Sequence, residues 1–291
     1  MLRSLFSGVS GMKNNQVKMD VIANNIANVS TTAFKSGRVR FQDIFSQTIA
    51  DASSPTANRG GINPRQIGLG MQVGGIDTIM NQGAPQPTGR PYDLAIDGDG
   101  FFIIKKPGEN VYTRDGAFNL SEVAGAATTQ FNIVNSDGYI LQGYANTAAA
   151  GAAPVFDTNL SNIVINEEDG TGNKINSISI QADGTVSALY EGVDTPTVVG
   201  KVALARFTNP AGLKKLGGNN YETTSNSGQP ELVQAGIDIN SSIEQGTLEM
   251  SNVDLANEFT DMIITSRAFQ ANSRSITTSD EMLQELLNLK R

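Results

Sequence analysis

The stretch ANNIANVSTTAFKSG, residues 23–37, places three asparagines at the end of an apolar-patterned run and follows them with a serine and two threonines. Asparagine tolerates the left-handed backbone conformation that closes helices, and its amide can bond to the carbonyl groups left free there. Ser30, Thr31 and Thr32 then favour leaving the helix. The stretch therefore predicts a helix that stops near Asn28 and passes into another kind of structure.

The residues before this stop predict a long N-terminal helix. Apolar or small residues recur there at alternating spacings of three and four, which is the heptad pattern of a helix with one packing seam. Gly8 and Gly11 each cost a helix about 1 kcal/mol relative to alanine. We therefore expect this helix to need a partner surface. The seam consists of Leu2, Leu5, Val9, Met12, Met19, Ala23 and Ile26, with Gln16 filling the gap.

The C-terminal residues 252–289 predict a second helix, because they contain neither glycine nor proline. Ser251, with Asp254 three residues later, matches a capping box, so Ser251 is the predicted N-cap. The apolar stripe has polar residues at its alternate positions, which suits a helix packed among several others. The stripe consists of Leu255, Phe259, Met262, Phe269, Ile276, Leu283 and Leu287.

Two interpretations of these helices stand side by side. They could be an ordinary pair of core helices, but both stripes are narrow and lie at opposite ends of the chain. Narrow stripes favour assembly, in which neighbouring subunits supply the missing contacts. The two ends also differ in charge, since residues 1–40 carry six basic side chains and one acidic one, whereas residues 250–291 carry four basic and six acidic.

The middle of the chain, from about residue 60 to 245, predicts antiparallel β-structure. Short apolar alternations are bounded there by turn signals. Asp-Gly pairs are typical of tight hairpin turns, because glycine adopts a positive φ at little steric cost. We expect such turns at five Asp-Gly pairs, at residues 97–98, 99–100, 115–116, 137–138 and 183–184.

Composition argues against an enzyme. The chain has no cysteine and no histidine, which removes thiol nucleophiles, imidazole bases and the commonest transition-metal ligands. The DGDG sequence at 97–100 lacks the glutamate that a calcium loop needs at its twelfth position. Asp97, Asp99 and Asp115 could pair as glycosidase carboxylates, but turns explain all three. We expect no catalytic residue, no cofactor and no bound metal.

The sequence also gives no sign of a nucleic-acid or membrane protein. The basic N-terminus lacks the aromatic residues that accompany charge in single-strand binders. No run approaches the ~18 apolar residues of a membrane helix. The first residues show no continuous apolar segment with a cleavage site, so no cleavable signal peptide is expected.

Three segments resemble the family of bacterial flagellar rod and hook proteins. Residues 23–43, ANNIANVSTTAFKSGRVRFQD, carry the family pattern, with Ala33 where many members have glycine. Residues 62–102 resemble the same axial family. Residues 246–291, which include LEMSNV and RAFQANS, are similar to the hook subunits of that family, whereas distal-rod relatives typically diverge through RAFQANS.

The resemblance implies an α+β fold: a discontinuous, coiled-coil-like terminal-helix domain and a mainly antiparallel β domain. It implies helices at 1–30 and 252–291, extended connections at 31–75 and 231–251, and an outer β domain at 76–230. The implied function is a hook subunit, a helical homopolymer that transmits motor torque. Its implied partners are rod, hook-cap and hook–filament junction proteins and the type III export apparatus, and its implied location is the extracellular flagellum.

Two sets of residues are predicted to act in assembly, and two alternatives to the hook remain. The alternatives are a distal-rod subunit and a sugar-binding or carboxylate-based hydrolase domain on a helical stalk. The apolar set, predicted to hold subunits together, is Leu5, Val9, Met12, Met19, Ile26, Phe259, Met262, Phe269, Ile276 and Leu283. The polar set, predicted to form hydrogen bonds between subunits or to lie on solvated faces, is Asn24, Asn25, Asn28, Arg267, Asn272 and Arg274.

Overall fold

The computed structural model describes residues 2–55, 59–123, 129–147, 154–157, 159–168, 172–193, 195–236 and 241–289. The chain forms two compact units, each built from separate stretches. The first unit consists of Met1–Val29, Ser36–Ile79 and Val253–Arg291. The second consists of Ser30–Lys35 and Met80–Asn252. The three-part division expected from the sequence stays a prediction.

The first unit combines both long helices with two small antiparallel ladders. β1 pairs with β4 through a bulge after Arg40, and β2 pairs with β3. The first ladder packs against α1. The elements are α1 (Leu2–Ala27), β1 (Gly37–Asp43), β2 (Ser46–Ala50), β3 (Arg65–Gly68), β4 (Met71–Thr78) and α2 (Leu255–Leu289).

The helix ends differ from the predictions in two details. The backbone N–H of Asn28 donates to the carbonyls of Asn24 and Asn25 at 3.2 Å, so asparagine ends α1 without turning left-handed. The left-handed residue after the helix is Ala33, with φ +54°. The N-cap of α2 is Asp254, not Ser251: its Oδ1 accepts from the N–H of Ala256 at 2.9 Å. A carboxylate at this position also interacts favourably with the helix dipole.

The second unit is built from antiparallel strands and one short 3₁₀ helix. Proline begins the 3₁₀ helix, Pro210–Gly212. The strands are β5 (Pro85–Pro87), β6 (Leu94–Asp97), β7 (Phe101–Lys106), β8 (Glu109–Thr113), β9 (Asn119–Glu122), β10 (Gln130–Val134), β11 (Ile140–Ala145), β12 (Ser161–Asn162), β13 (Val164–Asn166), β14 (Ile175–Ile180), β15 (Thr185–Tyr190), β16 (Thr197–Arg206), β17 (Lys214–Gly217), β18 (Asn220–Glu222), β19 (Glu231–Gln234), β20 (Ser242–Gln245) and β21 (Thr247–Glu249).

Within the described residues, thirteen of these strands form one sheet around the path β13-β10-β11-β16-β7-β8-β18-β17. The remaining four make two pairs, β20 with β6 and β21 with β5. Every ladder in the second unit is antiparallel. Together with the terminal helices, these ladders confirm the α+β class.

The core of the second unit lies on both faces of β7. Successive side chains of a strand point to opposite faces. Phe102 and Ile104 accordingly pack into one buried cluster, and Phe101 and Ile103 into another. A strand buried on both faces reads as an unbroken apolar run, which explains the FFII sequence.

Only two of the five Asp-Gly pairs close hairpins, so the turn prediction was partly wrong. Gly138 and Gly184, with φ +79° and +82°, join β10 to β11 and β14 to β15. The pairs at 97–100 lie between β6 and β7, which do not pair with each other. Gly116 is needed for a different reason: an added Cβ would collide with the carbonyl oxygen of Leu94.

Candidate assembly interface

The two terminal helices pack against each other in an antiparallel pair within the first unit. Contacts along the pair show the direction, because the residue number rises on α1 while it falls on α2. Ser4 Oγ lies 3.4 Å from Ser279 Oγ at one end. Asn25 Nδ2 donates to Glu258 Oε1 at 3.0 Å at the other. The predicted pairing of the two chain ends therefore occurs within one molecule.

Small and polar residues form the seam between the helices. On α1 the most buried positions follow the heptad spacing of a packed face. On α2 the two buried residues are Thr265 and Ser279. The seam thus lies one residue away from the predicted apolar stripes. The buried α1 positions are Gly8, Gly11, Asn15, Ile22 and Asn25.

Gly8 and Gly11 allow the helices to approach closely. A Cβ built on Gly8 would lie 3.0 Å from Ile276 Cγ1, and one on Gly11 would lie 2.6 Å from Asn272 Nδ2. Contacts this short force the neighbouring side chain to move. The two glycines weaken the isolated helix, but the pair depends on their lack of a side chain.

Polar contacts complete the seam near the end of α1. Lys18 Nζ lies 3.6 Å from Asp261 Oδ2 in a partly exposed ion pair. Asn25 is buried and makes two further hydrogen bonds with the backbone of Gly37: its Nδ2 donates to the carbonyl at 2.9 Å, and its Oδ1 accepts from the N–H at 3.0 Å. Asn25 therefore connects α1, the start of β1 and α2.

This arrangement disfavours the charged form of the Glu258 carboxyl. Desolvation raises the pKa of its carboxyl above the ordinary value, and the charge of Asp261 acts in the same direction. The hydrogen bond from Asn25 and the charge of Lys18 oppose that rise. The seam therefore favours the protonated form of Glu258 relative to the unfolded chain.

Large apolar side chains point away from the helix seam. Phe6 is 70% exposed, Phe259 is 50% exposed and Ile263 is 63% exposed. So many exposed large apolar side chains on two helices make these helices a candidate interaction site. We call these residues the outward apolar set: Phe6, Val9, Leu255, Phe259, Ile263, Ile264, Phe269, Met282, Leu286 and Leu287.

The residues predicted to act in assembly divide between the two faces. Leu5, Met12, Met19 and Ile26 are half-buried on α1, as are Met262, Ile276 and Leu283 on α2. Val9, Phe259 and Phe269 belong to the outward apolar set.

The predicted polar residues are likewise dispersed. Asn25 and Asn272 lie in the seam, whereas Asn28 bonds back to Asn24. Arg267 donates to Gln270 on the exposed surface, and Arg274 is exposed.

A buried ion cluster in the second unit escaped the sequence analysis. Glu249 Oε1 accepts from Lys35 Nζ at 2.5 Å and from the Gly83 N–H at 2.8 Å, and Oε2 accepts from Arg114 at 3.3 Å. The side chains of Lys35, Glu249 and Arg114 are all less than 5% exposed. Two cations thus share one carboxylate inside the unit.

Burial and charge around this cluster shift two pKa values. Desolvation lowers the pKa of Lys35, although Glu249 opposes it. Burial, reinforced by the negative charge of Glu249, raises the pKa of Tyr221 to about 12. Because Lys35 lies in the segment Ser30–Lys35, the cluster fixes that segment to the sheet-bearing part of the same unit. The sequence did not predict this contact, because the charged residues that form it lie far apart along the chain.

Of the three carboxylates considered for hydrolysis, Asp115 accepts hydrogen bonds from residues that it helps to position. Asp115 accepts from Thr32 Oγ1 at 3.2 Å and from the Ala117 N–H at 3.3 Å, and burial raises its pKa. Asp97 and Asp99 are exposed beside the β6–β7 connection. Within the described part of the chain, no group of three or more acidic residues is placed to hold a metal ion. None of the described helices is long and apolar enough to cross a membrane.

Three protein-family models match this chain. The one described as Flagella basal body rod protein matches residues 5–35, which include α1. Flagellar hook protein FlgE/F/G D1 domain matches residues 95–188. Flagellar basal body rod FlgEFG protein C-terminal matches residues 244–289, which include α2. The matches therefore cover both helices and much of the β unit.

Relatives match over the whole chain. The flagellar basal-body rod protein FlgG of Bacillus subtilis is 46% identical over 292 residues, covering all of both chains. The flagellar hook protein FlgE of Borreliella burgdorferi is 33% identical over 443 residues, and the FlgG of the same organism is 37% identical over 294, again covering all of both chains. With its paired terminal helices and antiparallel β unit, this chain belongs to the flagellar rod and hook family of axial structural proteins.

Proposed function

We propose that the chain is a structural subunit that polymerises through its terminal helices into the tube of the flagellar axis, and that it carries no catalytic site. The observation that carries this proposal is the distribution of side chains on the helix pair, which is the reverse of the distribution in an ordinary pair of core helices. Glycines and polar residues predominate in the seam within one molecule, beside Ile22 and Ile276, while the outward apolar set is exposed. Neighbouring copies would cover that outward surface.

The energetics suit such a role. Burying one Leu, Ile or Phe contributes about 1.5–3 kcal/mol. The ten residues of the outward apolar set, shared among neighbours, can therefore offset the entropy lost when subunits are fixed in a lattice. Torque passes through the tube mechanically, and no reacting group is required.

We place the subunit in the hook, on the resemblance of residues 246–291 to hook subunits. Its partners there are further copies of itself, rod, hook-cap and hook–filament junction proteins, and the type III export apparatus that delivers it outside the cell. The distal rod is a second candidate position. Relatives named as basal-body rod proteins align over 292 and 294 residues, close to the 291 of this chain, whereas a hook relative spans 443.

Polymerisation is tested by Phe269→Glu, which puts a charge into the outward apolar set. We expect loss of sedimentable fibres in a kosmotropic salt, with an unchanged near-ultraviolet circular dichroism spectrum of the β unit. Gln270→Glu is the matched control, because it adds the same charge at the next, exposed position of α2. Normal fibres from the Phe269 variant would overturn the proposal.

Hook and rod are distinguished by the shape of the wild-type fibre. Negative-stain electron microscopy of curved tubes, together with labelling of the chain outside the outer membrane in cells, would support the hook. Straight, rigid tubes and labelling within the basal body would support the rod.

A further inference from the structure

A small pocket in the second unit has an excess of positive charge that the assembly helices do not explain. It encloses about 190 Å³ and is lined by Arg114, Arg206, Asp99, Phe101 and Phe207, among others. All of these residues belong to the same unit. Arg114 and the buried Lys35 share Glu249 as their counter-charge, so together with Arg206 and Asp99 the groups in and behind the pocket carry one positive charge in excess.

Arg114 lines this pocket and has one donor without a hydrogen-bond partner among the described residues. Its two terminal nitrogens donate to Glu249 Oε2 at 3.3 Å and to the Gly98 carbonyl at 2.7 Å. Its Nε is buried and has no hydrogen-bond partner among the described residues. A buried donor of this kind is normally bonded to a ligand or to water.

Arg206 supplies a second, adaptable donor. It ends β16 and is exposed, and within the described ranges no carboxylate lies within ion-pair distance of it. A guanidinium binds a carboxylate with two parallel hydrogen bonds. Phe101 and Phe207 pack edge to face at 5.6 Å and offer an apolar wall to the carbon atoms that carry such a group.

We infer that this pocket binds a carboxylate side chain, and that the carboxylate comes from an adjacent copy of this chain. The chain carries 29 acidic and 21 basic residues, so another copy presents carboxylates in excess to any positive pocket. The occupant assignment rests on the proposed function, because only a polymer holds copies side by side. The pocket would then fix the register of the β units, while the outward apolar set supplies cohesion.

The chemistry of the pocket is tested with N-acetylglutamate as the probe and N-acetylglutamine as its neutral counterpart, both as their α-methylamides so that only the side chains differ in charge. Nitrogen-15 NMR of the full-length monomer at low ionic strength follows the Nε–H signal of Arg114. We expect a saturable shift with N-acetylglutamate alone. Equal responses to both probes, or no shift, would overturn the inference.

Three variants keep the test specific without touching the buried ion cluster. Arg206→Gln should weaken binding of N-acetylglutamate about tenfold, since it removes a charge-assisted hydrogen bond. Asp99→Asn should strengthen it severalfold, because a like charge is lost. Lys105→Gln is the control: it removes an exposed cation further along β7 and should change nothing.

The source of the carboxylate is tested in the polymer. We expect Arg206→Gln to raise the protein concentration needed for fibre formation severalfold, and Lys105→Gln to leave it unchanged. Wild-type fibres with an unaffected Arg206 variant would refute the adjacent copy as the source. Failure of the wild-type chain to polymerise would instead refute the proposed function.

Discussion

Asn25 and Gly37 are joined by a reciprocal pair of hydrogen bonds, in which one side-chain amide satisfies both backbone groups of one residue. The same amide also donates to Glu258. Asn25→Ala would leave these part-buried groups without their partner, so we expect a loss of about 1–3 kcal/mol in the free energy of unfolding. Urea unfolding monitored by far-ultraviolet circular dichroism measures it.

Asn24→Ala is the matched control, because Asn24 is exposed one residue earlier in the same helix. Its effect should stay within about 0.5 kcal/mol. Equal effects in the two variants would show that the hydrogen bonds of Asn25 add nothing to the stability of the fold.

Gly11 and Asn272 should be energetically coupled. Alanine normally stabilises a helix by about 1 kcal/mol over glycine, but a Cβ at Gly11 would lie 2.6 Å from Asn272 Nδ2. We expect Gly11→Ala to destabilise the helix pair by about 1–3 kcal/mol. Adding Asn272→Ala should restore stability, because the clashing group is gone. Thermal unfolding of the four proteins in this cycle gives the coupling energy, and strictly additive effects would contradict close packing.

Glu249 should be the most sensitive charged residue of the second unit. Glu249→Gln leaves Lys35 and Arg114 buried without a counter-charge, and we expect a loss of about 3–5 kcal/mol. Near-ultraviolet circular dichroism during urea unfolding reports this unit through its tyrosines. Glu244→Gln is the control, since Glu244 is exposed five residues earlier. A small effect at Glu249 would mean that water or local movement compensates the charges.

Glu258 should make stability depend on pH in mild acid. Its pKa is raised in the folded protein, so just above the ordinary glutamate value the folded state holds a proton that the unfolded state has released. The contribution of Glu258 to the free energy of unfolding therefore falls as the pH rises through the raised pKa. Glu258→Gln removes it, and the stability of the variant relative to wild type should increase from pH 4 to pH 7.

The control for this pH series is Glu281→Gln, on an exposed position of the same helix. Its stability difference from wild type should stay level across the series. A level difference for Glu258→Gln would argue that the carboxyl is solvated in the folded chain.

Sequence periodicity located both helices to within three residues at each described end, because a long apolar repeat at spacings of three and four matches the period of a helix and not that of a strand. The contact between α1 and α2 within one molecule was not located from the sequence, because the apolar stripes were predicted as contacts between subunits, and that role stays a prediction. In this chain the close contact is made by Gly8 and Gly11, and glycines in a helix carry no periodic signal of their own.

In the β unit, too, features set by neighbouring residues were predictable, whereas contacts between distant residues were not. Strands were predictable from alternation, and Gly138 and Gly184 from their turn chemistry. The ion cluster was not, since Lys35 and Glu249 are 214 residues apart and no local rule pairs them. The pocket at Arg114 and Arg206 was missed for the same reason.

The first unit is built from stretches that lie far apart in the sequence, and this determines when its helix pair can form. Ser4 meets Ser279, a separation of 275 residues, so α1 has to wait until almost the whole chain has been synthesised before its partner exists. Contacts of such separation form late, because a long loop has to close first. An incomplete chain therefore has no helix pair and no ordered outward face. The outward apolar set is therefore complete only after α2 has been synthesised.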